Sequence, residues 1–214
     1  MSVVKNENGR EILLAMVKAI QENKQYLGDV DGLIGDGDHG MNMNKGFTMY
    51  AEKLGAGETS FSDGLFDLGT ILLNRIGGSM GPIYGTILMD MSDKAEDAEE
   101  ITLPLFADML DAALEGLYGI VDARPGDKTL VDTLYPSLQA VKAAIAEKKS
   151  FAEALDNMKA AAEKGKESTK EMVAKYGRSA RLGERSRGVL DAGATSCCII
   201  LQAMADGMKK VLAD

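Results

Sequence analysis

The stretch Phe106-Ala-Asp-Met109-Leu110-Asp-Ala-Ala113-Leu114-Glu-Gly-Leu117 decides the reading of the fold. Its apolar residues recur every three or four positions, which places them on one face of a helix. The same spacing joins Ile12, Leu13, Met16, Val17 and Ile20 on one side, and Leu130, Leu134, Leu138, Val141 and Ile145 on the other. From Ala192 to Ala205 the chain is apolar nearly all round, as expected of a helix packed inside a bundle. Period-two runs are missing, and turn signals divide the sequence into eight predicted helices: 8–27, 39–54, 62–76, 80–93, 103–121, 127–147, 151–176 and 192–212. The expected architecture is all-α, a single domain over residues 1–214 built as a barrel or bundle of about eight antiparallel amphipathic helices.

Composition narrows the function. Among 214 residues, 24 basic and 33 acidic side chains leave a net charge of −9, which argues against a phosphate-backbone partner and so against nucleic acid. No apolar run approaches the roughly 20 residues of a bilayer span, and the first thirty residues lack a secretory pattern. A cytoplasmic protein with no membrane partner is expected. Cys197 and Cys198 are adjacent, a poor geometry for a bridge, and read as buried thiols.

Short connections make successive helices antiparallel, so the second, fourth, sixth and eighth predicted helices all begin at one end. The glycine-rich and charged connections lie at that end: Asp29 to Gly40, Gly77 to Pro82, Arg124 to Thr129, and Gly177 to Gly193. Four helix N-termini around one mouth present unpaired N–H groups and positive dipole ends to an anion. Asp31, Asp36 and Asp38 enter the same mouth and would repel a bare phosphate, which implies divalent cations between carboxylates and phosphate oxygens. The expected ligand is a metal-bound nucleotide or a similar polyphosphate, with Mg²⁺ the hard cation that suits it.

Plainer readings stand beside each motif. The aspartates also fit glycine-rich turn chemistry with N-capping, His39 a packing residue, and Gly77-Gly78-Ser79 a helix stop followed by a cap. Gly35-Asp-Gly37-Asp-His-Gly40 satisfies the dinucleotide fingerprint, but no strand precedes it, and the twelfth position of a calcium loop carries no acid from either Asp29 or Asp36. Between Gly177 and Gly193, Arg178, Arg181, Arg185 and Arg187 lie on a connection longer than packing needs, and an arginine brought to a phosphate would stabilise charge during transfer. Asp191 reads as the cap of the last helix, and Gly193 as a point of close approach.

Four ordered motifs over essentially the whole chain resemble the ADP-binding L subunit of bacterial dihydroxyacetone kinases. They are Ile34-Gly-Asp-Gly-Asp-His-Gly40 with Asn42 and Asn44; Gly77-Gly78 through Gly81-Pro82-Ile-Tyr-Gly85-Thr86; Pro125-Gly-Asp-Lys-Thr129; and Gly177-Arg178 through Leu182-Gly-Glu-Arg-Ser186 to Asp191-Ala-Gly-Ala-Thr-Ser196. The resemblance implies eight antiparallel helices holding ADP and two Mg²⁺ at one end. It places the metal ligands on Asp31, Asp36 and Asp38. It places nucleotide contacts on His39, Gly40, Met41, Asn42, Ser79, Met80, Leu130, Arg178, Asp191, Ala192 and Gly193, with Arg178 as the catalytic contact to terminal phosphates.

The resemblance also implies partners. A K-type subunit holds dihydroxyacetone, and an M-type phosphohistidine carrier of the phosphotransferase system restores ATP from retained ADP; a transcription regulator is a further candidate partner. Met80 stands where the family commonly has a small hydroxyl residue, Ala192 where proline is usual, and Arg187-Gly-Val-Leu190 lacks the usual histidine. Direct use of free ATP, another short ketose such as erythrulose, and a non-catalytic nucleotide-binding regulatory module are the alternative expectations.

Overall fold

The computed structural model describes residues 2–213. Within them, nine α-helices carry the fold: α1 Gly9–Glu22, α2 Lys24–Ile34, α3 His39–Leu54, α4 Phe61–Arg75, α5 Met80–Ala95, α6 Leu103–Ile120, α7 Val131–Ala146, α8 Phe151–Ser168 and α9 Ala192–Val211. The apolar stripes do what their spacing requires. Ile12, Leu13, Met16, Val17 and Ile20 are the buried face of α1, and Phe106, Met109, Leu110, Ala113, Leu114 and Leu117 that of α6. α9 is buried on most of its circumference. Cys197 and Cys198 on α9 are free and buried.

Packing closes a ring. α1 lies against α3, α3 against α4, and each helix from α4 to α9 against the next, with α9 returning to α1. One continuous apolar core fills the ring. The all-α bundle expected from periodicity is therefore present, with one helix more than expected.

The extra helix corrects the first predicted segment, 8–27. Asn23 leaves helical geometry at φ −99° and ψ 8°, and both its backbone N–H and its Nδ2 donate to Ala19 O, at 3.1 and 2.9 Å. The chain restarts as α2, which packs on α3 and runs to Ile34. Asp31, read from the sequence as a loop residue, is thus on the last turn of a helix. Two other segments are trimmed for local reasons. The turn 124–130 is tied by Asp127 and Asp132 side chains, so α7 starts at Val131 rather than at 127. α8 tightens into a 3₁₀ turn at Thr169–Glu171 and does not reach 176.

A small sheet, also not foreseen, ties the chain ends at the far end of the ring. β1 (Val3–Lys5) lies between β2 (Glu100–Ile101) and β3 (Leu212–Ala213), antiparallel to both, with Val4 opposite Ile101 and Leu212. Just beyond β1, buried Asn6 donates to Ser62 Oγ and Ala98 O and accepts from Ser62 N–H.

Candidate functional site

Helix starts at the two ends of the ring differ in how they are finished. α4, α6 and α8 begin at the sheet end, and each has a side-chain cap: Ser60 accepts from Asp63 N–H, Thr102 from Leu105 N–H, and Ser150 forms a capping box with Glu153, whereas α1, which also starts there, has no side-chain cap from Asn8. α3, α5 and α7 begin at the other end, and their cap residues Asp38, Ser79 and Leu130 make no side-chain cap bond. Thr129 Oγ1 takes only the Val131 N–H of α7. α9 alone at this end is capped, by Asp191 accepting from Ala194 N–H at 2.7 Å.

These four helix starts surround one cavity of about 710 Å³, a size suited to a nucleotide. Asp31, Asp36, Asp38, His39, Asn42, Ser79, Met80, Leu130, Arg178, Asp191, Ala192 and Gly193 all line it. Two expected contacts do not. Met41 is exposed, and Gly40 is buried against α2, where a Cβ would meet Lys24 O at 1.9 Å. That near contact of backbones is what fixes α3 beside α2 and the loop between them.

The loop brings three carboxylates together, with one oxygen from each of Asp31, Asp36 and Asp38 lying within 4.8 Å of the others. Glycine is required twice. Gly37 sits at φ 76°, and Gly35 leaves room for the Asp31 carboxylate, whose Oδ1 would be 2.3 Å from a Cβ there. The capping explanation fails for Asp38, which makes no cap bond, while Asp31 reaches the His39 N–H from eight residues upstream at 3.4 Å. Three convergent carboxylates match the oxygen donor set of Mg²⁺, which favours a few protein carboxylates with phosphate and water completing its shell. Arg178 pairs with Asp36, so the arginine loop reaches the acidic cluster.

Behind this surface lies a buried polar chain. His39 Nε2 is 2.8 Å from Ser196 Oγ, which is 2.5 Å from Tyr84 Oη; Tyr84 donates to Gly193 O at 3.2 Å. Burial pushes the His39 imidazole down to about 4, against a smaller opposing pull from Asp31, so the ring is neutral at pH 7. Burial likewise raises Asp191 to about 6 and holds the Tyr84 phenol protonated. Tyr84, Ser196 and Tyr176, whose side chains complete the site's surroundings, were given no role from sequence, although Tyr84 and Ser196 fall within the motifs quoted above. Nor was Lys128, a lining residue with no exposed surface whose Nζ donates to Thr169 O and Val189 O. Local spacing carries no sign of these roles.

The model of the DAK2 domain matches residues 33–206 of this chain. The chain belongs to the DAK2-domain family. The DAK2 match takes in Asp36, Asp38, Arg178 and Asp191, and begins two residues after Asp31. Among curated relatives, the chain is 35% identical over 187 residues to the ADP-binding subunit DhaL of the PEP-dependent dihydroxyacetone kinase of Escherichia coli (strain K12), covering 87% of this chain and 89% of that protein. It is 36% identical over 186 residues to the DhaL subunit of PEP-dependent dihydroxyacetone kinase 1 of Listeria innocua serovar 6a, covering 86% and 88%. The DAK2 fold itself is seen in the crystal structure of the dihydroxyacetone kinase of C. freundii, which superposes with a TM-score of 0.71 at 22% identity over 91% of this chain and 33% of that one. A structure of that kinase with AMP-PNP and Mg²⁺ superposes with a TM-score of 0.67, at 22% identity and the same coverage.

Proposed function

We propose that this DAK2-domain chain, working as one domain over residues 1–214, is the ADP-binding L subunit of a cytoplasmic dihydroxyacetone kinase. It holds Mg²⁺–ADP or Mg²⁺–ATP and passes the γ-phosphoryl group to dihydroxyacetone on a separate K-type subunit, and an M-type phosphohistidine carrier then restores ATP. The observation that carries the reading is the meeting of three carboxylates with uncapped helix N-termini in a single cavity of nucleotide size. The relatives' ADP-binding subunits supply the choice of nucleotide and substrate.

Asp31, Asp36 and Asp38 would hold two Mg²⁺ ions, which supply charge neutralisation at phosphate oxygens in a loose transition state. The residues of the chain do the rest. N–H groups at the starts of α5 and α9 orient phosphates through Met80, Ala192 and Gly193, while Asn42 adds a side-chain amide and Ser79 a hydroxyl. Leu130 offers an apolar surface to the base, while neutral His39 fixes the first turn of α3 through Ser196. Arg178 leaves Asp36 for the terminal phosphate and stabilises charge as it is transferred. No general base is assigned on this chain, because the K-type partner that holds the substrate should activate its hydroxyl.

Calorimetry with ADP, with and without Mg²⁺, tests the binding half. Wild type binds only with Mg²⁺, and Asp36→Ala abolishes tight binding while leaving the thermal transition intact. Mixing the chain with its K-type partner and dihydroxyacetone, and supplying either ATP or phosphoenolpyruvate with the carrier chain, tests transfer. Triose phosphate formed only with the carrier supports the cycle; formation from ATP alone assigns a free-nucleotide kinase, and no Mg²⁺-dependent ADP binding removes the proposal.

A further inference from the structure

The turn between α6 and α7 is built around an unusual lysine. Asp127 accepts from Arg124 N–H at 2.8 Å, and Asp132 accepts from Gly126 N–H at 2.5 Å and from Thr129 N–H at 2.8 Å. These bonds hold Lys128 at φ 61°, and among the described residues only Lys148 shares a positive φ without being glycine. A glycine would relieve the left-handed backbone, as Gly126 does at φ 97° in the same turn. Residue 128 instead carries a long side chain with no exposed surface. Its ammonium is spent on two backbone carbonyls, Thr169 O at 2.6 Å and Val189 O at 2.5 Å.

Those two carbonyls are the two ends of the arginine-bearing loop. Thr169 closes α8, Val189 precedes the Asp191 cap of α9, and Arg178 stands between them with its guanidinium on Asp36. The neighbouring ties run the same way. Thr169 Oγ1 accepts from Asp191 N–H at 3.0 Å, Gly188 N–H donates to Lys170 O at 2.7 Å, and Lys175 N–H donates to Asp127 O at 3.2 Å. Among the described residues, Lys128 is the one side chain that donates to a carbonyl at both ends from a third element. Burying an ammonium without an ion-paired carboxylate is costly, which a merely space-filling residue would not require.

We propose that Lys128 is a positioning residue for phosphoryl transfer: it clamps the two ends of the loop 169–189 and so sets where Arg178 stands over the acidic cluster. The inference rests on the kinase reading for its functional consequence, but its structural half is measured without nucleotide or partner. Lys128→Met keeps length and burial and removes the donors. In ligand-free protein, trypsin cleavage after Arg178, Arg181, Arg185 and Arg187, followed by fragment mass, becomes at least tenfold faster in Lys128→Met, while the thermal transition stays cooperative. If that variant does not fold, Lys128→Gln, which keeps N–H donors on a shorter reach, shows the same acceleration to a smaller degree. Loop cleavage no faster than in wild type overturns the clamp, whatever the activity.

The functional half is read as a double-mutant cycle in the transfer assay. Arg178→Ala lowers kcat strongly in the wild-type background and by less than threefold in Lys128→Met, because the arginine is already misplaced; KM for the K-type partner changes little. Losses that multiply show Lys128 acting elsewhere and overturn the positioning role. A wild type with no transfer at all, together with a loosened loop in Lys128→Met, removes the kinase reading and leaves the clamp.

Discussion

A Cβ on Gly35 would stand 2.3 Å from Oδ1 of Asp31, so the acidic cluster depends on residue 35 having no side chain. The carboxylate curls back over the backbone that follows it, and Asp36 and Asp38 are carried round to meet it. Gly35→Ala is therefore expected to turn Asp31 out of the cluster. ADP affinity in the presence of Mg²⁺, read by calorimetry, should fall at least about tenfold, a difference of roughly 1.4 kcal/mol. Unchanged affinity would show that Asp31 is not a ligand.

Arg178 and Asp36 are both more than one-third exposed along their side chains. Solvent screens such a pair, so Arg178→Ala should change stability by no more than about 1 kcal/mol. Its effect on catalysis should be far larger. An arginine on a transferring phosphate is worth on the order of 10³-fold or more, and transfer should fall by much more than ADP affinity does. Equal losses in both would mean that the arginine serves binding alone.

Buried His39 and Asp191 pull the pH dependence of stability in opposite directions. His39 falls from 6.5 to about 4, so its contribution is complete above pH 6.5 and is lost as pH drops through about 4. Asp191 rises from 3.8 to about 6, so its contribution is complete below about 3.8 and is lost as pH climbs through about 6. Thermal midpoints without divalent cations should show His39→Gln gaining on wild type between pH 7 and pH 4. Asp191→Asn should gain on it between pH 4 and pH 7. Parallel curves would mean that neither group changes its proton affinity on folding.

At Gly40 the backbone of α3 meets that of α2, and a Cβ would be 1.9 Å from Lys24 O and 2.8 Å from Gly28 N. Backbone cannot yield as a side-chain tip does. Gly40→Ala should cost about 3 kcal/mol, a fall of roughly 6–12 °C in Tm for a chain of this size. Gly77→Ala is the control, since nothing lies within 4 Å of a Cβ there, and it should leave Tm nearly unchanged.

Much of the fold was legible because helical periodicity is a local property. The stripe of α6 and the all-round apolar run of α9 could be read directly as elements. The break at Asn23 was not legible, because Leu27, Val30 and Ile34 continue an apolar spacing through it, and only the non-helical backbone of Asn23, with its side-chain amide on Ala19 O, shows that the helix has stopped. The sheet was invisible for another reason. Its strands are two or three residues long, too short for a period, and its partners lie near opposite ends of the chain.

The site divides in the same way. Asp31, Asp36 and Asp38 were found because they fall within eight residues among glycines, and the arginines because their connection is longer than packing needs. Lys128 falls inside the Pro125-Gly-Asp-Lys-Thr129 motif, but its role was not legible: a lysine in a polar turn reads as a solvated charge, and only its complete burial on two carbonyls shows otherwise.

By itself the amino-acid order determined what lies within a few residues of itself: the helix faces, the turns, and the supply of carboxylates and glycines at one loop. Tertiary structure alone decided which distant groups share the cavity, setting Ser196 against His39 and Arg178 against Asp36, and leaving the starts of α3 and α5 without side-chain caps. The reason is physical. Local spacing is enforced by backbone hydrogen bonds a turn apart, whereas the meeting of separate helix ends follows from closing the ring, and that depends on how every buried face packs against the next.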